Sequence, residues 1–238
     1  MPTMGALHAG HTSLVERARG ENELVIVSIF VNPLQFNNPE DLEKYPRNED
    51  DDIRQLEAAG VDAVFTGSVT QFLGEARNLR PQDLQDPGMY ARGMEGAHRP
   101  GHFAGVREIV ARLFEFVGPC RAYFGEKDYQ QLQVIRELAA ELTGIEIVPC
   151  PTSRESSGLA RSSRNLRLST RGRHKAAIIH QAMQAANAAW KLGTRNPRAL
   201  QQAMLTELEA TKFELEYAEL RDPDNWTPSQ PVHDIERA

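Results

Sequence analysis

The sequence predicts an α/β fold: a parallel sheet covered by helices, followed by a smaller α+β domain. Three observations carry this. Leu24-Val25-Ile26-Val27-Ser28-Ile29-Phe30-Val31 is an almost unbroken apolar, β-branched run, which suits a strand buried on both faces. Shorter runs of the same kind at residues 61–65, 121–124 and 145–148 are separated by stretches of helical period. Near residue 152 the pattern changes: a polar segment over 152–165 gives way to long helical repeats. The expected domains are residues 1–152 and 153–238.

Taken in order, Pro2-Thr3-Met4-Gly5-Ala6-Leu7-His8-Ala9-Gly10-His11 is a turn of small residues that delivers two histidines, followed by Leu14, Val15 and Ala18. A helix is expected over 12–19, with His11 at or just inside its start. Free N–H groups and the positive helix end would favour phosphate there, and imidazoles can donate to phosphate oxygens. The same residues also read as a glycine-rich turn with two surface histidines. The long strand ends in Asn32-Pro33-Leu34-Gln35-Phe36-Asn37, at the edge where open parallel sheets bind ligands. Gln35 there either grips a small polar substrate or is solvated. Asn48 is expected to cap a helix whose first turn holds Glu49, Asp50, Asp51 and Asp52, with Ile53 and Leu56 inward. A contiguous acid run sprays around a helix, which favours a helix start over a metal site.

Residues 66–103 lack sustained period and read as a long functional or mobile loop. Val106, Ile109, Val110, Leu113 and Val117 share a helical face. The strand at 121–124 runs into Gly125-Glu126-Lys127-Asp128, with Asp128 as N-cap of a helix carrying Leu132, Ile135, Leu138 and Leu142. Beyond the polar segment, Ile179, Met183, Ala186 and Trp190 define one helix, which Gly193 ends. Asn196-Pro197 starts another with Leu200, Met204 and Leu208. The alternation at Phe213, Leu215 and Tyr217 predicts a half-buried strand.

Composition excludes several classes. The chain has 238 residues, 25% charged and 40% apolar, with a net charge of -6, so no general basic surface points to nucleic acid. No signal peptide and no bilayer-length apolar run is evident, so the cytoplasm is expected and no membrane partner. Cys120 and Cys150 form neither a disulfide framework nor a metal pattern, and Cys150 is expected in or near the core. His98 and His102 flank Arg99-Pro100-Gly101, but no thiol or well-spaced carboxylate completes a zinc set with them. There is no Walker-type loop.

Three polar patches lie next to predicted sheet edges: His8 with His11, Gly125–Asp128 with Gln131, and Ser162-Ser163-Arg164-Asn165. Imidazoles, a lysine, an arginine and hydroxyls suit a polyphosphate held for attack at phosphorus. Singly, the second patch also reads as a solvated helix cap and the third as a linker.

Jointly, Thr3–His11, Phe30-Val31-Asn32-Pro33-Leu34-Gln35-Phe36, Arg99-Pro100-Gly101-His102-Phe103, Tyr123-Phe124-Gly125-Glu126-Lys127-Asp128 and Ser162–Asn165 closely resemble the pantoate–β-alanine ligase family, in that family's order and over nearly the whole chain. The resemblance implies a Rossmann-like, doubly wound parallel sheet of the H-x-G-H nucleotidylyltransferase superfamily with a small C-terminal lid. It implies ATP as co-substrate, Mg2+, pantoate and β-alanine as substrates, a pantoyl adenylate intermediate and a homodimer.

It further implies that His8 and His11 contact phosphates, that Lys127 stabilises the transferring α-phosphate, and that Arg164 with Ser162 and Ser163 clamps the phosphates. ATP would lie along Met4, Gly5, Ala6, Leu7, Ala9, Gly10, Gly125, Glu126 and Asp128, with Ser153 and Arg161 at positions that differ from the family. Gln35 and Gln131 would hold pantoate, Met4 and Phe124 would wall it, Asn32 would serve the β-alanine step, and Arg99 and His102 would lie near the pocket. The resemblance also implies that a strand before Met1 and a closing C-terminal segment are missing, which leaves the lid incomplete. A catalytically silent remnant and another H-x-G-H nucleotidyltransferase therefore stand as alternatives.

Overall fold

The computed structural model describes residues 1–211 and 214–228. It divides into two compact units, the first Met1–Ser153 and the second beginning at Arg154. In the first unit the chain runs β1 (Pro2–Thr3), α1 (Ala9–Glu21), β2 (Ile26–Ile29), α2 (Pro39–Glu43), α3 (Glu49–Ala58), β3 (Ala63–Phe65), α4 (Val69–Leu73), α5 (Met94–His98), α6 (His102–Val117), β4 (Cys120–Gly125), α7 (Tyr129–Ala140) and β5 (Ile145–Cys150). The second holds α8 (Thr170–Ala176), α9 (Ile178–Lys191) and α10 (Pro197–Glu209).

These strands all pair in parallel, as strand–helix alternation requires. Among the described residues they form two ladders, a three-stranded β1-β2-β3 and a two-stranded β4-β5. β1 contributes only Pro2 and Thr3, opposite Ser28 and Ile29. A cavity of about 450 Å³ lies between the start of β2 and β4, lined by Met1, Ile26, Cys120 and Ala122 among others.

Side-chain alternation along the strands feeds two cores. Val25, Val27 and Ile29 of the β2 segment, with Tyr123, Val148 and Cys150, pack with Val15 and Ala18 of α1 and Leu56 of α3. On the opposite side Phe30, Ala122 and Phe124 meet Val106, Ile109 and Val110 of α6 and Leu132, Ile135 and Leu138 of α7. Helices thus cover both faces of the strands, the doubly wound arrangement.

Several local expectations are corrected. Residues 66–103, which carry no sustained period, fold into the short helices α4 and α5 with intervening single 3-10 turns. The buried Gln130 amide ties this segment down. It donates to the carbonyls of Tyr90 (2.9 Å) and Gly93 (3.1 Å) and accepts from the Glu95 N–H (3.0 Å). Asn48 and Asp128 stand at the N-cap positions of α3 and α7, yet neither side chain makes the cap hydrogen bond.

In α9 the buried residue is Ala182, while Ile179 and Met183, which share a helical face in the sequence, are largely exposed. Phe213 lies outside the described residues. Leu215 and Tyr217 belong to no strand, because the chain over 214–220 finds no ladder partner among the described residues. Among those residues no helix is long and apolar enough to cross a membrane.

Ile135 is fully buried on α7 beneath the site. Ile135→Ala is expected to lower the free energy of unfolding by about 2–5 kcal/mol, the range for emptying a packed core position. Urea titration with an unchanged slope but a lower midpoint would show it, and a midpoint equal to the parent's would contradict this packing.

Candidate functional site

The first unit's candidate residues gather at the carboxyl ends of β1, β2 and β4. After β1 the chain reverses through Gly5 (φ +76°) and Ala6 (φ +51°), both left-handed, and enters α1. Each amide of this turn is already engaged. Gly5 N–H donates to Thr3 Oγ1 (3.2 Å), and Ala6 and Leu7 N–H donate to the Asp52 carboxylate (2.7 Å each).

His8 is the N-cap of α1, with extended backbone, and its Nδ1 accepts the Gly10 N–H at 3.1 Å. His11 reciprocates: its Nδ1 accepts the His8 N–H at 3.3 Å. The two rings lie 4.1 Å apart. This is a capping box built from two imidazoles, where hydroxyl and carboxyl groups usually serve.

The capping geometry changes the expected phosphate contact. The N–H groups of Gly10, His11 and Thr12 are spent on the His8 ring and the His8 carbonyl. The helix start therefore does not offer those three amides, contrary to the expectation of free N–H groups. Because both Nδ1 atoms accept, the ring protons sit on Nε2. Burial pushes the His11 pKa down to about 3, helped by His8 and the Lys127 ammonium, with Asp128 acting in the opposite sense. His11 is thus a neutral hydrogen-bond donor at physiological pH rather than an imidazolium.

The electrostatic influence of Lys127 and Asp128 on His11 brings the second patch to the first. Gly125 ends β4, residues Glu126–Asp128 form a 3-10 turn, and Lys127 Nζ pairs with Asp128 Oδ1 at 2.8 Å. Gln131 follows half-buried on the first turn of α7, and Phe124 is buried beneath.

At the end of β2 the chain folds over Asn32 and a 3-10 turn, Pro33–Gln35. Asn32 is 1% exposed, so its amide is structural in this state. It donates to Gln35 Oε1 (3.1 Å) and to the Gly105 carbonyl (2.9 Å). Gln35, itself buried, sets its Nε2 2.9 Å from the Met4 sulfur, joining this turn to the β1 turn.

The Gln35 carbonyl accepts from Arg99 (3.1 Å) and from His102 Nδ1 (2.8 Å). Arg99 is held in turn by Glu95 at 3.0 Å. Arg99 and His102 therefore fix Gln35 from behind. Burial, then Arg99, lower the His102 pKa to about 4. Sequence reasoning missed Gly105. A Cβ there would stand 2.3 Å from the Leu34 carbonyl oxygen and 2.7 Å from the Gln35 nitrogen, so only glycine lets α6 pass this close. It also passed over Asp52 as one acid of a run, for which the spacing of four from the inward Leu56 was the available signal.

In the second unit, Ser162 Oγ accepts the Arg164 N–H (3.3 Å) and caps the 3-10 turn Ser163–Arg167. Ser163 and Asn165 are buried, and Asn165 donates to the Ala160 carbonyl at 2.9 Å. Arg161 and Arg164 are half-buried beside them. Ser153 is the last residue of the first unit. Among the described residues no group of three His, Cys, Asp or Glu side chains could hold a metal ion.

Comparison with known proteins places the chain in a family. The model of the pantoate-beta-alanine ligase family matches residues 1–237. A pantothenate synthetase of Cereibacter sphaeroides is 49% identical over 233 residues, spanning 97% of this chain and 81% of that protein. The crystal structure of pantothenate synthetase from Thermus thermophilus superposes with a TM-score of 0.89 at 44% identity, covering 97% of this chain and 83% of that one. A pantoate-beta-alanine ligase from Francisella tularensis, complexed with beta-gamma ATP and beta-alanine, gives 0.72 at 38% identity, covering 87% of this chain and 76% of that one.

The buried neutral imidazoles make a stability prediction. The folded state keeps His11 and His102 unprotonated to about pH 3 and pH 4, whereas unfolded histidine takes a proton below about 6.5. The unfolded state therefore binds more protons in that window, and stability is lost as pH falls from 6.5 toward 4. His11→Asn and His102→Asn should each flatten the dependence of urea midpoint on pH between 7 and 4. A parent-like slope in both variants would show that the rings are not held neutral.

Proposed function

The chain belongs to the pantoate–β-alanine ligase family, and we propose that its first unit adenylates pantoate at the edge formed by the β1, β2 and β4 turns. The overall activity is the ATP-dependent joining of pantoate to β-alanine, giving pantothenate. One observation carries the site: the neutral His11 imidazole, its Nδ1 occupied by the His8 N–H, lies within electrostatic reach of the Lys127 ammonium, beside the turn that Gln35 ties to Met4.

The chemistry follows. A carboxylate is inert to amines, so a leaving group must be attached. A pantoate carboxylate oxygen attacks the α-phosphorus, the bond to the β-phosphate oxygen breaks, and pyrophosphate leaves. The β-alanine amine then attacks the acyl carbon, the bond to the AMP oxygen breaks, AMP leaves, and the amine loses a proton.

In this reading His8 and His11 donate through Nε2 to phosphate oxygens as negative charge builds on the leaving group. Lys127 neutralises charge on the α-phosphate. Gln35 and Gln131 orient pantoate, with Met4 and Phe124 as apolar walls. By the family resemblance, Ser162, Ser163 and Arg164 would clamp the phosphates. Asn32, buried against Gln35, would act by holding that side chain in place. Mg2+ bound with ATP would neutralise charge on the phosphates, with the Asp128 carboxylate beside Lys127 as the residue that would face it. The reading extends to a cytoplasmic homodimer, as the family resemblance implies.

Isotope transfer tests the adenylate. With 18O in the pantoate carboxylate, one labelled oxygen should appear in AMP for each pantothenate formed, whereas unlabelled AMP would rule out attack by that oxygen. Lys127→Ala should fold like the parent, because the ammonium is solvent-facing, yet lose about 10²- to 10³-fold in adenylation rate. Near-normal turnover would remove Lys127 from this role.

A further inference from the structure

Asp52 lies outside every patch that the resemblance or the functional reading assigns. It is 2% exposed in the first turn of α3, among acids that otherwise face partly or wholly to solvent. Its two oxygens are used singly and separately: Oδ2 accepts the Ala6 N–H and Oδ1 the Leu7 N–H, each at 2.7 Å, across more than forty residues of sequence. The turn it grips is strained. Ala6 has φ +51°, a left-handed conformation that an L-residue adopts at a cost and that persists only where surroundings enforce it. Gly5 is shaped to the same carboxylate, because a Cβ at Gly5 would stand 2.8 Å from Asp52 Oδ2.

The consequence runs one residue further. The gripped Leu7 N–H belongs to the Ala6–Leu7 peptide, and the next peptide along carries the His8 N–H. That N–H meets His11 Nδ1, and the meeting keeps the His11 proton on Nε2. We propose that Asp52 is a positioning residue of the adenylation site: its carboxylate locks the Gly5–Leu7 turn so that the His8 N–H holds the His11 ring with its Nε2–H toward the phosphates. The same two bonds withhold the Ala6 and Leu7 amides from the ligand, which leaves phosphate recognition to the imidazoles. The proposal rests on the functional reading above, since it names the support of that same site.

The test uses the full chain and three variants. Asp52→Asn keeps the shape but turns one acceptor into an amide donor facing a backbone N–H. Asp52→Glu keeps both acceptor oxygens one methylene displaced. Asp50→Asn removes an exposed charge from the same helix turn and is the control. Pantoate-dependent ATP–pyrophosphate exchange gives kcat and KM, thermal melting gives the folded fraction, and 15N imidazole spectra give the His8 and His11 tautomers.

Asp52→Asn is expected to melt cooperatively and to lose about 100-fold in kcat, the scale of a misplacement near 1 Å, with the KM for pantoate changed less than about twofold. Its His11 spectrum should show mixed Nδ1–H and Nε2–H forms. Asp52→Glu should recover part of the rate, and Asp50→Asn should match the parent. A parent-like kcat with a parent-like His11 tautomer in folded Asp52→Asn overturns the proposal. So does a rate loss that only tracks the unfolded fraction. If Asn does not fold, Glu carries the same comparison. Should the parent show no exchange, the functional reading fails, while the tautomer spectra still decide whether Asp52 sets the histidines.

Discussion

The site depends on how the chain turns from β1 into α1. Within five residues, Met4 to His8, it must leave a parallel strand, reverse, and start a helix at the sheet's carboxyl edge. Such a turn strands several amides with no ladder or helical partner, and buried amides must be paired. Here Thr3 Oγ1, the Asp52 carboxylate and the two imidazoles supply the acceptors. Pairing those amides also determines the tautomer of each histidine. The requirement that shapes the backbone and the requirement that prepares the chemistry are therefore met by the same hydrogen bonds.

Around that turn the other strand ends are fastened by the same logic. Gln35 reaches the Met4 sulfur, Asn32 holds Gln35, and Arg99 with His102 hold the Gln35 carbonyl. Gly105 lets α6 lie close enough to serve as a floor for this turn. Lys127 and Asp128 arrive from β4 as a neighbouring ion pair. Preorganisation of this kind limits the reorientation needed when phosphate charge develops.

Much of this was legible in the sequence, for physical reasons. β-Branched runs bounded by turn residues suit buried strands, so the parallel α/β class and the helices α6, α7 and α10 followed from period. The histidine pair was visible as glycine-flanked imidazoles before an apolar helix, a pattern equally open to a surface turn until the other blocks joined it. Other features were hidden. Only the spacing of four to Leu56 hints which acid of Glu49–Asp52 turns inward, because the choice belongs to the partner turn far away in sequence. The burial of Asn32 depends on α6 crossing at Gly105, a contact between segments far apart in sequence. The alternation at 213–217 suggested a strand, but alternation does not provide a neighbour to pair with, and the chain over 214–220 has none among the described residues.

The central claim is that this chain activates a carboxylate at the α-phosphorus of ATP before any amine is involved. The most direct measurement is exchange of labelled pyrophosphate into ATP, with pantoate present and β-alanine omitted. The account predicts exchange that requires pantoate and stops when pantoate is withheld. A folded chain that shows no pantoate-dependent exchange would contradict it.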